Sequence, residues 1–228
     1  QLPEPNKYWD PVHLRALFPN GSVDSLSADF THHHSHLESA MAFAKGPGFP
    51  SVYTAVVADG FGSFGECITV YEVVGNSYRV IQRVFGFEKS MGMLYQYATA
   101  FMGMKMHNHE YKMLAYEVHI REVLEFHEIQ YLKEMILAQA EVYLKATRRA
   151  PITNQFDPVT DLSSLVNLQV QINGMLTKIL DNLNIKYDDT YKMRVVTSYF
   201  VQHVVESVIC GVVAYHQPKH LLVVGGFF

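Results

Sequence analysis

Cysteine, positive charge and long apolar runs are all scarce in this sequence, and each scarcity removes a class of protein. Cys67 and Cys210 are its two cysteines, too few for a disulfide framework, so a reducing cytoplasm is the expected compartment. Lys and Arg number 18 against 22 Asp and Glu, a net charge of −4 with the histidines neutral. That balance gives no basic footprint for direct contact with nucleic acid. A small phosphate ligand is still allowed, because a local site binds it rather than net charge. No secretory pattern stands at the first residues, and no apolar run is expected to span a membrane. The nearest, Val195 to Tyr215, carries Gln202, His203 and Glu206 in its middle, which reads as a buried helix of a globular domain. The Walker pattern G-x-x-x-x-G-K-[ST] is absent too.

What the sequence does contain is enough for one large domain or two small ones: 228 residues, 49% of them hydrophobic. Pro3, Pro5, Pro11, Pro19 and Gly21 punctuate residues 1–30, which read as an irregular segment with room for one short helix from Val12 to Phe18. Residues 31–228 form the domain proper. The chain opens at Gln1 without Met and stops just after the apolar run Leu221–Val224, at Gly225-Gly226-Phe227-Phe228. The expectation is a domain that is incomplete at both ends.

The densest chemistry lies at Thr31-His32-His33-His34-Ser35-His36, with no helix breaker until Gly46-Pro47. On a helix, residues four apart share a face. His32 and His36 therefore point the same way and can hold one divalent ion, while His33 and His34 point elsewhere. Imidazole suits zinc, iron, manganese or nickel, and spacing does not choose among them. The competing reading is a polar helix start with its histidines in water. His107, His109 and Glu110 are a second, weaker candidate set, in what reads as a polar loop.

Three strand-like runs follow the histidine helix, Val52 to Ala58, Cys67 to Val74 and Tyr78 to Phe85, with a Gly75-Asn76 hairpin turn between the last two. Asp59 ends the first run, and Gly60, Gly62, Ser63 and Gly65 come after it. Glycines let a ligand approach backbone amides closely, and successive N–H groups in such a turn make an anion-binding concavity. A carboxylate beside it can hold a metal that bridges to phosphate. Equally, the glycines can serve turn geometry alone. Helices are then expected over Met91 to Met104, Val118 to Thr147, from a cap at Asp161 to Leu183, and Thr190 to Tyr215. Leu221 to Val224 reads as a parallel strand ending at Gly225 and Gly226, a place where open α/β sheets bind ligands. The order describes an α/β domain.

Taken in order, several of these segments resemble the O-carbamoyltransferase family of nodulation-factor and antibiotic-tailoring enzymes, relatives of the hydrogenase-maturation and tRNA threonylcarbamoyl transferases. They are His32-His33-His34-Ser35-His36, Val56-Val57-Ala58-Asp59-Gly60-Phe61-Gly62, Ser90-Met91-Gly92-Met93-Leu94-Tyr95, Glu110-Tyr111-Lys112-Met113, Gln202-His203-Val204-Val205-Glu206 and Val223-Val224-Gly225-Gly226. The resemblance implies an actin/hexokinase-like (ribonuclease H-like) nucleotide-binding fold. It also implies transfer of a carbamoyl group from carbamoyl-adenylate to a small hydroxylated acceptor, with ATP and carbamoyl phosphate as the ultimate source. By position, His32, His36 and Asp59 would bind a divalent metal, often iron. Gly60, Gly62 and Ser63 would line the phosphate corner, Lys112 would reach a phosphate, and Gly225 and Gly226 would line the adenosine side. Two alternatives are a transferase of the tRNA-modifying branch and a non-catalytic nucleotide- or metal-binding module. The family's opening H-D-x-S phosphate loop has no counterpart here, and Leu114-Ala115-Tyr116-Glu117 replaces its usual G-L-A-x-Y-G.

Overall fold

In a computed structural model the chain divides into two compact units, 1–31 and 32–228. The structure describes residues 31–44, 46, 48–60, 62, 65–148 and 162–225. The expected irregular segment with its Val12–Phe18 helix lies outside these residues, as do Ser63, Asp161 and Gly226.

Val52–Ala58 (β1), Glu66–Val74 (β2) and Ser77–Phe85 (β3) pair as an antiparallel meander. Their β-branched and aromatic side chains suit a pleated, covered surface. Leu221–Val224 (β4), reached after all the later helices, lies parallel to β1, and the sheet order is β3-β2-β1-β4. Successive residues of a strand face opposite sides, and here both sides are covered. Tyr53, Ala55, Val57, Tyr71 and Val73 pack with Leu37 and Met41 of the helix His32–Phe43 (α1). Val56, Ala58, Ile68 and Val70 face a larger core built with the remaining helices. Double-sided burial explains why β1 and β2 read as near-continuous apolar runs.

That second layer contains Met91–Phe101 (α2), Lys112–Glu117 (α3), Ile120–Val123 (α4), Phe126–Arg148 (α5), Leu162–Asn182 (α6) and Thr190–His216 (α7). Two expected helices change. α2 stops at Phe101 rather than Met104, because the chain turns through Gly103 at φ 70°. The single helix expected over Val118–Thr147 is broken at Leu124, whose backbone is extended (φ −126°, ψ 142°). α5 then restarts where the Glu128 carboxylate accepts the Glu125 N–H at 2.8 Å, the backward arm of a capping box. Ile120, Leu124 and Leu132 are all buried across the break, so the apolar spacing gives no hint of it. By length and composition α7 is apolar enough to cross a membrane. In this fold its buried face instead packs within the core, and His216 Nε2 and the Gln82 side chain meet at 2.6 Å.

A buried polar cluster fastens α1 to the sheet. Thr69 donates its hydroxyl proton to Glu66 Oε1 at 2.5 Å, so its oxygen accepts from His33 Nδ1 at 2.8 Å. Glu66 in turn pairs with Arg83 at 3.1 Å. His33, Thr69 and Glu66 are fully buried, and Arg83 is nearly so. Burial drives the His33 pKa down to about 3, against a smaller opposing pull from the Asp59 carboxylate. The ring is therefore neutral when folded.

Two outcomes follow from this cluster. Replacing Arg83 with Met leaves the Glu66 carboxylate buried without its cation, and urea denaturation should show a loss of about 3–5 kcal/mol. The folded His33 refuses a proton that the unfolded ring accepts near pH 6.5. Stability therefore falls as pH drops from 6.5 towards 3, by about 1.4 kcal/mol per pH unit from this group. The slope of stability against pH should be shallower by that amount in His33→Gln.

Candidate metal centre and adjoining cavity

The docked face of α1 decides what its histidines can do. His33, His34, Leu37 and Met41 are buried, and the His34 ring packs on Tyr71 and Tyr78 at 5.3 and 5.6 Å. With that face committed, the i, i+4 pair His32 and His36 flanks the end of β1, with side chains 46% and 29% exposed. Asp59 sits just past β1, its N–H bonded to Cys67 O.

The three side chains converge on one point. Asp59 Oδ2 lies 2.6 Å from His32 Nε2 and 3.1 Å from His36 Nε2, and the two nitrogens are 3.0 Å apart. The imidazoles meet edge-on, 4.6 Å between ring centres. Two ring nitrogens that close, both facing one carboxylate oxygen, share either a proton or a cation. Ligands of a tetrahedral zinc with bonds of about 2.0–2.1 Å stand about 3.3 Å apart, so these atoms, at 2.6, 3.0 and 3.1 Å, are hydrogen-bonding neighbours that need only spread by a few tenths of an ångström to admit an ion. Two imidazoles and a carboxylate also match the donor set that holds non-haem iron(II) with positions left open. Burial pushes the Asp59 pKa up, but hydrogen bonds with His32, the Gly60 N–H and His36 outweigh it and hold the carboxyl below its ordinary value. The group is an anion, as a ligand must be.

Asp59 is also one wall of a cavity of about 670 Å³, bounded by Gly60, by Tyr95 and Gln96 of α2, and by Gln202 and Glu206 of α7. Ser90 secures that wall. Its hydroxyl caps α2 by accepting the Met93 N–H at 3.2 Å and donates to Gly60 O at 2.7 Å.

The other candidate residues fare unevenly. Gly60 lines the cavity, but its N–H is taken by Asp59 Oδ1 at 2.6 Å. Gly62 and Gly65 give theirs to Glu66 O and Gly62 O. The expected concavity of free amides is therefore not formed by these three glycines, because the turn uses their donors internally. Gly62 is needed sterically instead: a Cβ there would come within 3.0 Å of the His33 ring and 2.8 Å of Glu66 O. Gly225, at φ 132°, is needed for the same reason, since a Cβ would lie 1.9 Å from Ala58 O where β4 meets β1. Lys112 opens α3, half-buried, and does not line the cavity. The loop candidates serve their own loop: His109 Nδ1 accepts the Lys105 N–H, and Glu110 accepts the His107 N–H. Among the described residues, the one group of three such ligands that converges is His32, His36 and Asp59. Sequence reasoning missed the His33–Thr69–Glu66–Arg83 cluster and the part played by Gln202 and Glu206. An i, i+4 polar pair on an otherwise apolar helix was the available signal for the latter.

A family model described as carbamoyltransferase N-terminus matches residues 22–156, more than half of the chain. No curated protein matches it.

Equilibrium dialysis against zinc, manganese or anaerobic iron(II), followed by metal analysis, should find about one ion per chain. His32→Ala with His36→Ala should abolish it, as should Asp59→Asn. Because these side chains are partly exposed, the circular dichroism of the variants should be unchanged. Undiminished metal in the double variant would contradict the assignment.

Proposed function

The chain belongs to the carbamoyltransferase family, matching its N-terminal part, and from that premise we propose that it transfers a carbamoyl group from carbamoyl-adenylate to a hydroxyl of a small acceptor. The observation that carries this reading is the convergence of His32, His36 and Asp59 beside a cavity large enough for a small-molecule substrate. The sheet order β3-β2-β1-β4, with β1 and β4 parallel, supports placing the domain in the actin/hexokinase-like nucleotide-binding class. The donor is made from ATP and carbamoyl phosphate, and two free cysteines suit a cytoplasmic setting.

In the transfer the acceptor oxygen attacks the carbamoyl carbon and the bond from that carbon to the phosphate oxygen breaks. AMP leaves with the bonding electrons, and the hydroxyl proton passes to a base of the site. His32, His36 and Asp59 would hold a divalent ion, iron by family likeness, which when bound supplies charge neutralisation towards phosphate or carbonyl oxygen. Asp59 also acts structurally. Through Oδ1 it fixes the Gly60 turn, and through Gly60 O and Ser90 that turn fixes the start of α2. The cavity walls on α2 and α7 bind and orient the acceptor. Acidic lining of the same cavity weighs against a tRNA substrate, whose phosphates need cations.

Labelled carbamoyl phosphate, ATP, a divalent metal and a panel of hydroxylated acceptors should yield a labelled carbamate ester and AMP. Asp59→Asn should lower the rate by about a hundredfold or more. An unchanged rate in that variant would overturn the proposal.

A further inference from the structure

Two of the helices that wall the cavity, α3 and α7, are joined across their surface by one imidazole. His203 of α7 stands between two carboxylates. Its Nδ1 lies 2.9 Å from Glu206 Oε2, one turn further along the same helix, and its Nε2 lies 3.4 Å from Glu117 Oε2 at the end of α3. The Tyr199 ring packs against it, 4.1 Å between ring centres. The polar string continues inward from Glu206. Its Oε1 accepts a Gln202 amide proton at 2.7 Å, and the Gln202 oxygen accepts the Tyr95 hydroxyl from α2. Tyr95, Gln202 and Glu206 line the cavity, as do Tyr111 and Leu114 at the start of α3. One string of contacts thus ties three helices around the cavity, and His203 is its link to α3.

The number of protons on that link decides whether the string is whole. A neutral imidazole has one N–H and one lone pair. It can serve Glu206 or Glu117, but it then sets a lone pair against the other carboxylate. An imidazolium donates from both nitrogens, and hydrogen bonds between ionised partners are the strong ones. The Tyr199 ring beside it also suits a cation. Arg121 of α4 is the remaining charge of this neighbourhood, acting with Glu117 and Glu206 on the Tyr199 hydroxyl. Histidine is the side chain that ordinarily changes charge between about pH 5 and pH 8.

We propose that His203 is a proton-operated clasp on the cavity wall. As an imidazolium it holds Glu117 of α3 and Glu206 of α7 together, and on losing a proton it lets α3 go. It is a positioning residue: the wall bearing Tyr111 and Leu114 is firm in mildly acidic solution and loose in mildly alkaline solution. The clasp depends on neither the metal triad nor carbamoyl transfer, so it stands or falls apart from both.

Hydrogen exchange of the α3 amides, read by mass spectrometry at about pH 5.5 and about pH 8, tests the clasp. Rates are divided by the intrinsic chemical rate and referred to the α5 amides. The clasp groups are partly exposed, so α3 should exchange about three- to tenfold faster at the higher pH, and added salt should shrink the ratio. The sign is opposite to that of His33, which weakens the fold towards low pH. His203→Gln and Glu117→Gln should each leave α3 fast at both values. His203→Arg, a cation throughout with donors spread along a fork, should leave it slow at both. His119 follows α3 and pairs with Glu122, and His119→Gln should keep the full pH response. Equal corrected rates at the two pH values in the unaltered chain, a response that survives His203→Gln, or one that vanishes in His119→Gln would overturn the proposal.

Discussion

The insertion of His33 into the sheet governs the phase of α1, and the candidate site depends on that phase. Four histidines within five residues surround a helix, so sequence order alone leaves open which ones meet a given neighbour. Once His33 donates to Thr69 and is sealed beneath the Gly62 turn, the helical period leaves His32 and His36 beside Asp59. The clamp is polar and buried, and it is joined to the Glu66–Arg83 pair. A buried hydrogen bond such as that of His33 Nδ1 with Thr69 favours one docking of the helix over its neighbours in rotation. Met41 and Leu37 add apolar contact on the same face, but two such side chains would tolerate a small roll that the His33 hydrogen bond does not.

A second constraint acts at the strand ends. β1 and β4 run parallel and finish together, with Gly225 against Ala58 so closely that no side chain could stand there. That approach sets the chain after β4 beside the turn that holds Asp59. The carboxyl ends of parallel strands are where open α/β sheets accept ligands, and here His32, His36 and Asp59 and the cavity meet at that edge. Ser90 joins the edge to the helical layer by capping α2 while bonding Gly60 O. Few residues therefore carry the geometry: His33, Asp59, Ser90 and two glycines.

Much of this was legible in the sequence. The strands showed as apolar runs bounded by glycine, and the i, i+4 spacing of His32 and His36 put both on one face. Asp59 stood out by ending a strand ahead of glycines. The rest was hidden for physical reasons. The break at Leu124 lies within unbroken apolar spacing, and the signal that restarts α5 is one Glu128 side chain reaching back. Helical phase set His33 and His34 apart from His32 and His36, but their burial was not legible, because burial depends on the surface a helix meets. The glycine corner suggested free amides, but whether a turn spends its own donors is decided by residues such as Glu66, whose backbone oxygen receives the Gly62 N–H.

The central claim is that His32, His36 and Asp59 form one coordination shell. X-ray absorption spectroscopy of the metal-loaded chain tests it most directly. The expected spectrum contains two imidazoles and at least one further oxygen at about 2.0–2.2 Å, reduced to one imidazole in His36→Ala. An identical imidazole signal in His36→Ala, or a shell of oxygens alone in the unaltered chain, would contradict it.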